Sequence, residues 1–213
     1  MIGKQTINRA KMMTLFDNLD ETPYILCGID EAGRGPIAGP LVLAGVILPK
    51  PIDGLADSKK LSAKKREELY LQIVSTAIYH IVVIPNSYID EYGLSKSLHL
   101  GLVDIVYKLG GSGIKFLYDG NTNYGVDGVY TLIKADTKVA QVSAASILAK
   151  VIRDNIMKHY SKVYPNYNFA SHKGYPTKKH KELLQRYGPS PIHRVSFSTV
   201  AKRLITPSLF EEI

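Results

Sequence analysis

A chain of 213 residues with 45% hydrophobic and 22% charged residues has the make-up of one folded domain, and no window approaches the roughly 18 apolar residues of a membrane span. Its single cysteine, Cys27, excludes an internal disulfide and suits a reducing compartment, so a cytoplasmic protein without a membrane role is expected. The 27 Lys and Arg against 19 acids, a net charge of +8, favour a polyanionic partner, because each cation set on a phosphate releases condensed counterions.

The N-terminus, MIGKQTINRAKMMTLFDNLDETP, is polar and charge-interrupted and lacks the form of a secretory signal. Residues 24–30 (YILCGID) predict a buried strand and 41–48 (LVLAGVIL) a second, joined through a glycine-rich turn. A helix is expected over 62–78, capped by Ser62 and burying Leu69, Ile73 and Ala77. YHIVVIP reads as a third strand closed by Pro85, and 94–109 as a helix with Leu98, Leu102, Ile105 and Leu109 on one face. Short strands follow at 115–121, ending at Asp119-Gly120, and at 129–136, ending at Asp136. Over 140–160, Val142, Ala145, Ala149, Ile152, Ile156 and Tyr160 form a long helical stripe, rich in Ala and Ser where it begins. This order predicts a mixed α/β layer fold. No repeat divides the chain, so one domain is expected over 1–213, with a core of 24–185 and a C-terminal helical segment over 186–213. Nothing in the sequence calls for more than a monomer.

Three apolar strands thus finish in acid, at Asp30-Glu31, Asp119 and Asp136. Strand ends are where ligands bind in α/β sheets, and four carboxylates at one rim repel one another unless a cation lies between them. Oxygen ligands without Cys or His select Mg²⁺ or Mn²⁺, and two such ions roughly 3.5–4 Å apart suit phosphoryl chemistry. The competing reading makes each acid a turn or cap residue: Asp119-Gly120 is an ordinary turn pair, and Asp136 could cap the next helix. Asp30 and Glu31 resist it. Adjacent strand residues point to opposite faces, so both serve one site only where the strand breaks, and Ala32-Gly33-Arg34-Gly35 supplies a break.

GRGPIAG is one residue longer than the dinucleotide fingerprint, precedes a strand rather than a helix, and lacks the Lys-Ser/Thr ending of a P-loop. Its glycines instead allow backbone to approach a ligand closely. The six histidines form no H-E-x-x-H pattern, and one cysteine leaves no structural zinc site apparent. The serines of SAAS, 143–146, read as helix-packing residues. Basic residues cluster at 59–66, 150–162 and 172–181, the last enclosing Tyr175, a pattern that suits a nucleic-acid groove.

GIDEAGRGPIAGPLVLAGVIL, DSKKLS, YDGN, KADTKVAQVSAASILAKVIRD, HKGYPTKKH and HRVSF occur in this order between about residues 24 and 198. Together they closely resemble bacterial ribonuclease HII, the type 2 ribonuclease H family. The resemblance implies a ribonuclease H-like mixed β-sheet flanked by helices. It also implies an endonuclease that cuts the RNA strand of RNA/DNA hybrids and cuts at single ribonucleotides in duplex DNA, leaving 3′-hydroxyl and 5′-phosphate ends. Carried over, Asp30, Glu31, Asp119 and Asp136 would be the catalytic, metal-binding carboxylates for Mg²⁺ or Mn²⁺. Gly33, Arg34 and Gly35 would read the 2′-hydroxyl, and Tyr175 would pack on the sugar 3′ of the cut. Lys59 and Lys173 would contact phosphates. Pro176 stands where many relatives have glycine, and Asp154 matches a family position that a helix-surface salt bridge explains equally well. Only 29 residues precede Asp30, the first of these four carboxylates, which favours type 2 over type 3. Two other classes remain open on the residues alone: a hybrid-binding module without hydrolysis, and a metal enzyme acting on small phosphate esters.

Overall fold

The structure is a computed structural model and describes residues 24–55 and 61–205. β1 (Ile25–Ala32) and β2 (Leu41–Ile47) pair antiparallel, with Cys27 opposite Ile47 and Asp30 opposite Ala44. β3 (Ile78–Ile84) adds antiparallel outside β2, while β4 (Ile114–Asp119) and β5 (Val129–Leu132) add parallel on the other side of β1. The order β3-β2-β1-β4-β5 makes the mixed sheet that the sequence predicts, with β1 at its centre.

Both faces of that sheet are covered, which explains why β2 is apolar at every position and buried throughout. On one face Cys27, Ile29, Leu43 and Tyr118 pack against Leu98, Leu102 and Ile105 of α2 (Asn86–Leu109). On the other, Val42, Ala44 and Val46 meet Leu69 and Ile73 of α1 (Ala63–Thr76) and Ala144, Ala145 and Leu148 of α3 (Ala140–Val163). Each such fully buried Leu or Ile contributes roughly 1.5–3 kcal/mol. Ser62 caps α1 as expected, its hydroxyl accepting from the Lys65 N–H at 3.2 Å. The helix stops at Thr76, and Ala77 is already extended. Helix α2 is broken at Gly93, so its regular part is the 94–109 stretch legible in the sequence.

The expected strand over 129–136 is shorter than predicted. β5 ends at Leu132, Lys134 takes a left-handed conformation (φ 58°), and Asp136 sits in a buried 3₁₀ turn, Ala135–Thr137. The left-handed residue turns the chain out of the sheet, and the Ala135 N–H then docks on the Asp119 carboxylate at 3.1 Å. Asp136 does not cap α3 either, whose N-cap is Val139.

The chain beyond α3 folds over the glycine-rich loop. A helical turn, Phe169–His172, leads into α4 (Lys178–Tyr187), capped by Thr177, and later α5 (Ser198–Ile205). Ile37 from the loop packs with Leu184 and Val200, and Ala38 with Met157, Phe169 and Ile192.

Candidate active site

β1 and β4 run parallel with Ile29 beside Tyr118, so Asp30 and Asp119 come next on neighbouring strands. Ile29 and Tyr118 pack toward α2. Alternation therefore aims Asp30 and Asp119 at the opposite, α3 face, where the Ser146 hydroxyl hydrogen-bonds to Asp30. Asp136 reaches the same place from its turn. One carboxylate oxygen from each of Asp30, Asp119 and Asp136 lies within 4.8 Å of the others.

Glu31 has the parity of Tyr118 and stands apart from this trio. Its carboxylate accepts from the Tyr118 hydroxyl at 2.6 Å and pairs with Arg34 at 3.3 Å. It nevertheless borders the same cleft, because the sheet ends one residue later and Gly33 (φ 111°) turns the chain away. Both carboxylates thus share one cavity at the tip of the strand, on its two sides.

Burial drives the electrostatics. It pushes the Asp30 carboxyl well above the usual range, Glu31 adds to the rise, and Asp119 adds less than the Ser146 hydrogen bond relieves. Burial also raises Glu31, against the opposing pull of Tyr118 and Arg34. Three crowded, shielded carboxylates are costly as bare anions and comfortable around a cation. The donor set is all oxygen, with neither His nor Cys, so Asp30, Asp119 and Asp136 fit a hard divalent ion such as Mg²⁺ or Mn²⁺.

The walls of the cleft, which encloses about 530 Å³, are cationic and backbone-lined. Gly33, Arg34 and Gly35 form one wall, Tyr175 faces them, and Arg66 and Lys150 complete the rim. A Cβ on Gly33 would lie 2.4 Å from the Arg153 Nε and 2.7 Å from the Pro40 carbonyl, and one on Gly35 would stand 3.6 Å from the Tyr175 ring. Lys173 lies off the cleft, its ammonium donating to the Ala170 carbonyl. Lys59 falls outside the described residues. Asp154 pairs with Lys150 at 2.7 Å, the helix salt bridge weighed from the sequence.

Several side chains escaped the sequence reading. Ser146, which reads from the sequence as a packing residue, faces Asp30, and with Lys150 and Arg153 it falls at i, i+4 and i+7 on α3, a spacing that marks one helix face. Arg153 and Arg194 are wholly buried. Arg194 donates to the carbonyls of Gly39 (3.0 Å), Arg34 (3.3 Å) and Gly33 (2.7 Å), gripping the glycine loop from behind.

Three histidines form a neutral group behind Tyr175. His180 Nδ1 lies 2.8 Å from the Tyr175 carbonyl, which can only accept, so that nitrogen carries the proton. The Ser190 N–H donates to His193 Nδ1 at 2.9 Å, so His193 carries its proton on Nε2 and donates to His180 Nε2 at 3.0 Å. His172 stacks on His180 with ring centroids 4.0 Å apart. Burial lowers His180 and His193 to about 4.

Buried acids at the tip of a mixed sheet, under cationic walls and a glycine-backbone rim, define a nuclease-class phosphodiester hydrolase. Residues 27–200 match the family model for Ribonuclease HII. The Ribonuclease HII of Sulfurovum sp. (strain NBC37-1) is 55% identical over 185 residues, covering 87% of this chain and 96% of that one. Among solved structures, ribonuclease H2 from Pyrococcus horikoshii OT3 matches with a TM-score of 0.67 at 30% identity, over 84% of this chain and 96% of the other. The RNase HII of Archaeoglobus fulgidus, solved in a complex with PCNA, matches at 0.72 and 27% identity over 86% and 98%. The chain belongs to the ribonuclease HII family, a ribonuclease H endonuclease that cleaves the RNA of RNA/DNA hybrids.

Proposed function

We propose that the enzyme, beyond cutting RNA in hybrids, cuts on the 5′ side of single ribonucleotides embedded in duplex DNA, leaving 3′-hydroxyl and 5′-phosphate ends. One observation carries this reading: a glycine-backbone wall and an exposed tyrosine face each other above the buried acids. The 2′-hydroxyl distinguishes RNA from DNA at a given site, and backbone free of side chains can approach it closely. Gly33, Arg34 and Gly35 take that role here, and Tyr175 packs on the following sugar, where deoxyribose fits best. Arg34 and Lys150 meet the flanking phosphates, with Lys59 and Lys173 as outer contacts.

The reaction depends on Mg²⁺ or Mn²⁺ held by Asp30, Asp119 and Asp136, with Glu31 as the fourth carboxylate at the mouth of the cleft. Bound there, such ions would supply water activation and charge stabilisation on the leaving oxygen. The residues do the rest. Ser146 and the Glu31 N–H, which donates to Asp30 Oδ1 at 2.7 Å, hold the Asp30 carboxylate in one orientation. Tyr118 and Arg34 do the same for Glu31. In this reading the protein is a single catalytic domain that works as a cytoplasmic monomer on nucleic acid.

The test uses two short labelled duplexes, one all DNA and one with a single ribonucleotide, each with Mg²⁺, Mn²⁺ or chelator. A metal-dependent cut 5′ of the ribonucleotide, with the all-DNA duplex intact, is expected. Asp119→Asn should keep the fold and lose most turnover. Binding without cleavage under either metal, by a folded protein, would instead favour a non-hydrolytic hybrid-binding module.

A further inference from the structure

The two walls of the cleft come from chain segments far apart in sequence, and one side chain holds both. Arg153, buried in α3, donates through Nε to the Pro40 carbonyl at 3.0 Å and through Nη2 to the Ala38 carbonyl at 3.1 Å, both in the glycine loop. Its remaining arm, Nη1, donates to the Lys173 carbonyl at 3.0 Å, in the loop that carries Tyr175. Its guanidinium carbon stands 5.9 Å from the centre of the Tyr175 ring. The backbones also meet: the Ile37 N–H donates to the Gly174 carbonyl at 2.9 Å. Gly174 has a φ of 83°, and a Cβ there would lie 2.3 Å from the Ala38 carbonyl oxygen.

Arg194 offers the contrast. Its three bonds all fall on the glycine loop, so it shapes one wall without relating it to the other. Arg153 relates the two. A planar fork with five donors is the side chain that can reach three carbonyls in fixed directions, and a lysine ammonium cannot reproduce that geometry.

Resting on the reading of Gly33–Gly35 and Tyr175 as contacts to two successive sugars, we infer that Arg153 is a positioning residue that sets the spacing of these two walls. It thereby sets the preference for a ribose followed by deoxyribose over continuous ribose. The spacing matters because a shift of about 1 Å in a substrate-positioning group can cost on the order of a hundredfold in rate.

The experiment compares kcat/KM on a duplex with one embedded ribonucleotide and on a uniform RNA/DNA hybrid of the same sequence. Arg153→Lys is expected to lower the embedded-to-hybrid ratio roughly tenfold or more, as a wall moves by a fraction of an ångström. In a Tyr175→Ala background the same substitution should change the ratio no further, because the ring whose place it sets is gone. A folded Arg153→Lys enzyme whose two rates fall by the same factor, or whose effect multiplies fully with that of Tyr175→Ala, would overturn the inference. Gly174→Ala pushes the tyrosine loop off Ala38 with Arg153 intact, and carries the test if Arg153→Lys does not fold. It should lower the same ratio, and an unchanged ratio would likewise overturn the inference. Wild-type enzyme that leaves the embedded ribonucleotide uncut would remove the underlying reading instead, so the two failures are distinct.

Discussion

Asp30→Asn should make the metal-free protein more stable while removing its activity. At the 4.8 Å limit of the acid cluster, two unit charges at an effective dielectric of about 20 repel by about 3.5 kcal/mol. Asp30 lies in that cluster with Asp119 and Asp136. Burial first, then the Glu31 charge, with a smaller push from Asp119, raise its carboxyl, so that holding its proton already escapes part of the cost. The sign follows from that shift. A carboxyl raised in the folded state binds its proton more tightly there than in the unfolded chain. Stability from this group therefore falls as pH rises from the ordinary aspartate value through the folded one. Asparagine has no charge to repel and keeps an acceptor for the Glu31 N–H. We expect a net gain of about 1–3 kcal/mol near neutral pH, or about 3–10 °C in Tm for a domain of this size. Differential scanning fluorimetry with chelator, and then with a Mg²⁺ titration, reads it: wild type gains stability as Mg²⁺ is added and Asp30→Asn gains far less. A mutant less stable than wild type in chelator, or raised equally by Mg²⁺, would refute the account of the site as a repulsive carboxylate cluster built for a cation.

Tyr118→Phe removes the hydroxyl that donates to Glu31; a buried carboxylate without that donor takes up its proton more readily, so the acid limb of the kcat/KM–pH profile should move to higher pH, with unfolding by urea about 1.5–3 kcal/mol easier. His180 and His193, lowered to about 4, stay neutral while the unfolded chain charges near pH 6.5, so their stabilisation is complete above that pH and is lost as pH falls toward 4. Urea midpoints should show a loss of about 2 kcal/mol per histidine by about pH 5, flattened in His180→Gln. Tyr175→Ala should depress cleavage at an embedded ribonucleotide far more than it weakens hybrid binding measured by fluorescence anisotropy; equal losses in both would make the ring a structural residue.

What was legible in the sequence follows from how local each cause is. β1 and β4 announce themselves because apolar runs end abruptly in acid, β2 because its run is apolar throughout, and pairing β1 with β4 places Asp30 beside Asp119 once the register is set. Asp136 was visible as a candidate but not as a turn residue. A left-handed Lys134 carries no composition signal, and its conformation is secured by a bond from Ala135 to Asp119, 16 residues back. The expected break after Glu31 exists at Gly33. Its role is to end the sheet so that two opposite faces open into one cleft, and the two carboxylates keep their regular, opposed directions. Ser146 reads as a packing serine because Ser and Ala behave alike along a close helix, and its hydroxyl has meaning only once Asp30 is in place. Arg153 and Arg194 were invisible for the same reason at longer range: their acceptors are carbonyls 113 and 155 residues away.

Those two arginines also change what the net charge means. Counted in the sequence, they join the cations that suggest a phosphate surface, yet neither is exposed to meet one. Their work is on the orientation of peptide planes. In a trans peptide the carbonyl and the following N–H point in opposite directions. Arg194 draws the carbonyls of Gly33 and Arg34 inward, and the N–H groups of Arg34 and Gly35 are thereby aimed away from it, in a loop whose residues line the cleft. Burial, and then the nearness of Arg153, lower Arg194 to about 9, so it remains charged at neutral pH and its grip on those carbonyls holds. A cation hidden behind the loop thus turns glycine backbone into an outward row of donors. In the proposed function, the exposed cations, Arg34 among them, would meet the phosphates, while Arg194 orients the backbone that would contact the hydroxyl.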